Sequence, residues 1–315
     1  MTDLRVAVVG AGYLGRFHAQ KYAALPGVAL EGVVDVDAEA AAAVARETGT
    51  APFTDHRELL GRVDAVSIVA PTPLHHAITR DFLAAGCDVL IEKPMTTTLA
   101  QADELIELAE SRGLIIQVGL LERFNPAVKA LRRAVSRPRH IEARRLSTFK
   151  PRAVGVSVVL DLMIHDIDIV SALAGSAVKK VEAGGARVLT DRVDVATAFL
   201  ELENGCTASL AASRLAPEDR RMIRVYEKDA FVEVDFIRRR VEVTQKTTPP
   251  GEDGMPGTRK DVHAFDQADA LADEIAAFVH SVRKREAPEV TGQVAREALS
   301  VALMVAERIE RGSGR

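Results

Sequence analysis

From residue 4 to residue 117 short apolar, β-branched runs alternate with longer segments whose apolar positions recur every three or four residues. That alternation is the pattern of βαβ units on a parallel sheet. It predicts strands at residues 4–9, 29–34, 65–69, 89–91 and 114–118, and helices at 15–25, 38–48, 74–85 and 99–111. Runs such as Val6-Ala7-Val8-Val9 leave no polar face, as expected of strands covered by helices on both sides.

Around Arg139 the rhythm changes, and from residue 178 to 245 strand follows strand, with Asn204-Gly205 marking a tight hairpin turn. Val193, Val195 and Phe199 alternate with Ala196, Ala198 and Leu200, so both faces of that strand read as apolar. A helix is expected over one face and another subunit over the other. Residues 247–260, with three prolines and three glycines, read as an exposed loop, and 267–285 and 293–311 as amphipathic helices. The expected fold class is α/β: a doubly wound parallel sheet over residues 1–121, then an α+β domain with an open, mainly antiparallel sheet over 122–315. The closing helices are free to pack back on the first domain.

Composition narrows the function. The chain has 315 residues, a net charge of −4 and 4% aromatic residues with no Trp. It therefore has neither a basic footprint nor stacking platforms for nucleic acid, which is excluded as the expected ligand. Two distant cysteines, Cys87 and Cys206, make neither a disulfide framework nor a zinc cluster, so no metal is expected. No leader-like segment and no apolar run of about 18 residues is seen, so the protein is expected to be soluble and cytoplasmic, with no membrane partner.

Gly10-Ala11-Gly12-Tyr13-Leu14-Gly15 follows the first predicted strand and opens the first helix. In that context a GxGxxG turn cradles a pyrophosphate at the helix N-terminus. Asp35 lies 20 residues beyond Gly15, at the end of the second strand. A carboxylate there accepts the adenosine ribose 2′-hydroxyl and repels a 2′-phosphate, so NAD is expected over NADP. Ala70-Pro71-Thr72-Pro73-Leu74-His75 and Glu92-Lys93-Pro94 follow two further strands, at the sheet edge where such folds bind ligands. Proline after Lys93 restricts that residue to an extended backbone, and position alone leaves open whether its ammonium is functional or solvated.

The second constellation is Asp161-Leu162-Met163-Ile164-His165-Asp166-Ile167-Asp168. On a helix Asp161 and His165 share a face, and an acid beside a histidine suits a base that takes a hydroxyl proton near neutral pH. Spacing alone leaves an exposed pair on a solvated helix as the alternative. The Arg132-Arg133, Arg144-Arg145 and Arg238-Arg239-Arg240 clusters read as solvated faces, and Phe17, His18 and Tyr22 as packing residues of the first helix.

In this order, over essentially the whole chain, the Gly10–Gly15 turn, Glu92-Lys93-Pro94 and the Asp161 to His165 motif resemble the Gfo/Idh/MocA family of sugar and cyclitol oxidoreductases. The resemblance implies a Rossmann domain and an open sheet whose free face is buried in a homodimer or homotetramer. It also implies a catalytic set placed on Lys93, Asp161 and His165. Cofactor contacts are then expected from Gly10, Gly12, Tyr13, Leu14, Gly15, Asp35, Ala70, Pro71, Thr72, His75, Glu92 and Lys93. A narrower resemblance lies in Gly119-Leu120-Leu121-Glu122-Arg123-Phe124-Asn125-Pro126 with the Asp161 to Asp168 segment. These are similar to members that oxidise the 3-hydroxyl of UDP-N-acetylglucosamine to a 3-keto sugar in the synthesis of amino sugars for lipid A. Arg123, Asn125, Lys150 and Arg152 are candidates to meet a diphosphate or sugar, against the alternative that Arg123 and Lys150 pair with surface acids. A free-sugar or inositol dehydrogenase and a non-catalytic NAD-binding regulator remain the rival readings.

Overall fold

The computed structural model describes residues 3–150, 155–247, 256–266 and 268–313. Two compact units emerge, one of Met1–Leu121 with Asp269–Glu297, the other of Glu122–Ala268 with Ala298–Arg315.

The first unit holds a six-stranded parallel sheet in the order β3-β2-β1-β4-β5-β6. Its strands are β1 (Leu4–Val9), β2 (Val28–Val34), β3 (Ala51–Phe53), β4 (Ala65–Ile68), β5 (Asp88–Glu92) and β6 (Ile116–Gly119). Its helices are α1 (Tyr13–Ala24), α2 (Ala38–Thr48), α3 (Thr72–Ala84), α4 (Leu99–Arg112) and, from the far end of the chain, α7 (Ala270–Lys284). Val6, Val8 and Leu90 of the sheet pack with Ala19 and Tyr22 of α1 and Ile275, Phe278 and Val279 of α7 in one cluster. The apolar runs are buried throughout, as two-sided cover requires: Val6, Ala7 and Val8 are all 0% exposed. β3 was not anticipated, because three residues, two exposed and one half-buried, carry no periodicity.

The second unit contains an eight-stranded sheet in the order β14-β13-β12-β11-β7-β10-β9-β8. Its strands are β7 (His140–Leu146), β8 (Val178–Ala186), β9 (Val195–Leu202), β10 (Thr207–Ser213), β11 (Arg220–Tyr226), β12 (Ala230–Asp235), β13 (Arg240–Thr247) and β14 (Gly257–Ala264). All neighbours are antiparallel except β7 and β10. α5 (Pro126–Ala134) lies against β12 and β13, and α6 (Ile164–Ala174) against β7 and β10. α8 (Gly292–Ser313) closes the chain.

On β9 the expectation of two apolar faces is corrected. Ala196, Ala198 and Leu200 are buried, whereas Phe199 is 43% exposed and shares its face with Thr197. The expected 247–260 loop is corrected too: Gly257 to Lys260 belong to β14, which pairs with β13, while residues 248–255 lie outside the described residues. β14 is a polar edge strand, GTRKDVHA, whose exposed side chains give it a loop-like composition. No helix among the described residues is long and apolar enough to cross a membrane.

Candidate active site

In the first unit the glycine-rich turn joins β1 to α1. Gly10 has φ of 107°, and a Cβ on it would lie 2.5 Å from the Val69 carbonyl oxygen. A Cβ on Gly15 would meet the Gly10 carbonyl oxygen at 1.8 Å, whereas one on Gly12 would meet nothing within 4 Å. Gly10 and Gly15 are thus demanded by the turn and by helix–strand packing, and Gly12 leaves the backbone open to an approaching group. No side chain caps α1 at Gly12, and a helix N-terminus suits an anion. Exposed Tyr13 stacks edge-on against Phe17 at 5.1 Å, and half-buried Leu14 lies beside it on the first turn. Half-buried Asp35 accepts from the Ala11 amide at 2.7 Å and the Asp37 amide at 3.0 Å. Each carboxylate oxygen keeps a second lone pair for a ribose hydroxyl. An open backbone, uncapped amides and a half-buried carboxylate fit the dinucleotide expected here.

The next two loops are braced to each other. Pro71 caps α3 and Thr72 opens it. His75, 1% exposed, sets Nε2 at 2.7 Å from the Ala70 carbonyl and Nδ1 at 3.0 Å from that of Pro94. Burial pulls its pKa below the usual range, and a neutral ring, with a single N–H, donates to only one of these two carbonyls. The ring is enclosed within the unit between the Ala70 loop and the Lys93–Pro94 turn, whose peptide is cis. Glu92 is also buried, 3.2 Å from His18 Nε2, and its Oε2 accepts from the Lys93 amide at 3.2 Å. Lys93 itself is half-buried. His18, expected only to pack, is the fully buried partner of this carboxylate.

In the second unit Asp161 and His165 do not share one α-helix, which corrects the expectation. Val159–Met163 forms a π-helical turn that carries Asp161, and α6 begins at Ile164 with His165 in its first turn. π-turns concentrate at functional sites because the extra residue re-aims a side chain. Both residues are half-buried.

Two buried ion pairs hold this helix. Arg123, in the short helical turn Leu121–Phe124, makes a two-pronged bond to Asp168, 2.6 Å from each nitrogen to its oxygen. Arg145 of β7 meets Asp166 at 2.8 Å and Glu122 at 2.7 Å. Arg145 was expected to be solvated; it is 4% exposed. Burial opposes its charge, but the carboxylates of Asp166 and Glu122 outweigh that and hold the guanidinium above its usual pKa. Asn125 caps α5, accepting from the Ala127 amide at 3.0 Å and donating to Glu122 at 3.2 Å. Lys150 is exposed and pairs with Asp219 at 3.3 Å. Arg152 lies outside the described residues. Among the described residues no group of three or more His, Cys, Asp or Glu side chains is arranged to hold a metal ion.

Comparison with known proteins agrees with these features. Residues 4–120 match the family model described as an oxidoreductase family with an NAD-binding Rossmann fold, and residues 127–233 match the GFO/IDH/MocA C-terminal domain. The chain is 41% identical over 98% of both lengths to the UDP-N-acetylglucosamine 3-dehydrogenase of Acidithiobacillus ferrooxidans. A solved structure of that enzyme superposes with a TM-score of 0.93, covering 99% of each chain at 40% identity. This chain is also 31% identical, over 68% of both lengths, to the scyllo-inositol 2-dehydrogenase (NAD(+)) of Bacillus subtilis. The scyllo-inositol dehydrogenase of Lactobacillus casei, solved with NAD(H) and scyllo-inositol, shares the fold with a TM-score of 0.83 at 21% identity over 99% and 98% of the two chains. The chain belongs to the Gfo/Idh/MocA family of oxidoreductases, whose amino-terminal part is an NAD-binding Rossmann fold.

Proposed function

We propose that this protein oxidises the 3-hydroxyl of UDP-N-acetylglucosamine to a 3-keto sugar, with NAD in preference to NADP. The observation that carries this reading is the 41% identity, over 98% of both chains, to an enzyme named for that reaction. NAD supplies the hydride acceptor. The Gly10–Gly15 turn and the first amides of α1 would hold its pyrophosphate, flanked by Tyr13 and Leu14, and Asp35 its ribose, while Ala70, Pro71, Thr72 and Lys93 border the site and His75 and Glu92 brace it. Val36, beside Asp35, is uncharged and 90% exposed, so that position offers no cation for a 2′-phosphate.

In this reading His165 accepts the proton of the reacting hydroxyl as the carbon-bound hydrogen leaves as hydride. Asp161 orients the imidazole and supports its positive charge, and the Lys93 ammonium stabilises the developing alkoxide. Arg123 and Asn125 serve this site by holding α6 and α5; of the expected diphosphate contacts, Lys150 is exposed and would have to exchange its partner Asp219 for a phosphate. The half-exposed face of β9, with Phe199, is proposed to meet a second copy of the chain, and the cytoplasm is proposed as its compartment.

The test is NADH formation by purified protein against UDP-N-acetylglucosamine, other UDP-sugars, free aldoses and inositols, with a carbonyl trap to draw the equilibrium. A signal confined to UDP-N-acetylglucosamine is expected. Turnover of inositols or free sugars with the nucleotide sugar inert would replace this reading by a polyol dehydrogenase.

A further inference from the structure

α7 presents Glu274, Ile275, Phe278, Val279, Ser281 and Val282 to the interior of the first unit. Four of these are apolar, one is a serine, and Glu274 is a carboxylic acid at 0% exposure. Neither of its carboxyl oxygens has a hydrogen-bond partner. A buried acid in that state is costly when ionised, which favours its protonated form. Burial, and then the charge of Glu92, hold the Glu274 pKa well above the usual carboxylate range.

The groups on this side of the core come from four elements. Glu92 stands on β5, with its charge bearing on Glu274. His18 and Tyr22 stand on α1: His18 Nε2 lies 3.2 Å from Glu92, His18 Nδ1 is unpartnered, and the Tyr22 hydroxyl bonds to Ser67 of β4 at 2.8 Å. Gln117 on β6 donates its amide to the Glu274 main-chain carbonyl at 3.1 Å, and its own Oε1 is unpartnered. Glu92 in turn accepts from the Lys93 amide, and Gly119 crowds it so closely that an added Cβ would lie 2.8 Å from Glu92 Oε1.

We propose that Glu274 is a positioning residue for Lys93: from the core it backs Glu92, which His18 pins from α1 and whose Oε2 holds the turn from which Lys93 projects. The catalytic part rests on the role given to Lys93 above; the positioning part does not. A neutral Glu274 leaves Glu92 as the single negative charge of the pair. Ionised, Glu274 would add a second negative charge bearing on Glu92 in the core and weaken the hold of Glu92 on the Lys93 amide.

The sign of the pH effect follows. The Glu274 pKa is raised on folding, so its contribution is fully present below the unfolded value near 4.5 and is lost as pH rises through the folded value.

Two variants test this. Glu274→Gln keeps the shape and neutrality of the acid; Glu274→Leu keeps only the volume. Infrared spectra of the wild type at pH 7 are expected to show a protonated carboxyl band that Glu274→Gln lacks. Amide exchange across Ile91 to Lys93 is expected to rise about tenfold in Glu274→Leu and to stay near wild type in Glu274→Gln. In kinetics Glu274→Leu is expected to lower kcat about tenfold to a hundredfold with the sugar KM little changed, and Glu274→Gln to restore it and remove the alkaline limb of the kcat profile.

A missing carboxyl band, or a folded Glu274→Leu with wild-type exchange, overturns the positioning claim. Lys93→Met, run alongside, separates the two readings. Should Lys93→Met keep full turnover, the catalytic role of Lys93 fails while exchange still decides the positioning of its turn. Should Lys93→Met be inactive and Glu274→Leu fully active, the Glu274 proposal fails and the catalytic role stands.

Discussion

In the parallel-sheet unit the segments proposed to serve the site are secured largely by main-chain groups: the Ala11 and Asp37 amides on Asp35, the Ala70 and Pro94 carbonyls facing His75, the Lys93 amide on Glu92. In the mixed-sheet unit the segment from Val159 to Ala174 is secured by side-chain charge, with Arg123 on Asp168 and Arg145 on Asp166. The two strategies have different failure modes. Removing Asp35, His75 or Glu92 leaves a neutral main-chain group without its partner, whereas removing one half of a buried ion pair leaves the remaining charge uncompensated.

The largest expected effect ignores this difference, since it concerns the proposed chemistry itself. Lys93→Met and His165→Asn are each expected to lower kcat by about 10²–10⁴-fold while NAD affinity, measured by titration calorimetry, is retained. Next comes the test of the contrast. Asp168→Asn is expected to cost about 3–5 kcal/mol in denaturant unfolding, because it strips the carboxylate charge facing the buried Arg123. A loss under 1 kcal/mol would mean that the helix is held by apolar packing, as in the first unit.

Asp35→Ala probes the other side of the comparison. Removing a charge-assisted bond worth about 1.5–3 kcal/mol is expected to shift the NAD-to-NADP ratio of kcat/KM by about ten- to a hundredfold toward NADP. Its melting temperature is expected to change far less than that of Asp168→Asn. The smallest effect belongs to the exposed pair of Arg5 and Asp64, where Arg5→Ala is expected to leave the unfolding midpoint almost unchanged and to show no difference at all in high salt.

How much of this was legible in the chain follows the same division. The parallel unit announced itself because its strands are uniformly apolar and its turn chemistry is local: Gly10, Gly12, Gly15 and Asp35 act within one βαβ span. The mixed sheet was legible as strands and hairpins, but β7 reads HIEARRL, and only its burial by distant elements turns Arg145 from a surface charge into a core one. Glu274 was hidden for the same reason, since an acid on an amphipathic helix looks solvated until its neighbours are known. The π-turn at Val159–Met163 was beyond reach as well, because an α-helical and a π-helical turn share the same local composition. The whole-chain order of motifs indicated the family, and the alignment with a 41% identical relative agrees with it.

The three glycines of the first turn also sort mutations by what they would damage in a genetic screen. Gly10 and Gly15 have no room for a side chain even in the ligand-free chain, so replacing either depletes the protein itself and registers as low abundance. Gly12 has room, and its backbone is in the ordinary extended region with φ of −67°. An alanine there is expected to accumulate to wild-type levels and fail only where growth depends on catalysis. Abundance and fitness scores compared at those three positions would reveal which of them serves the fold and which serves the dinucleotide.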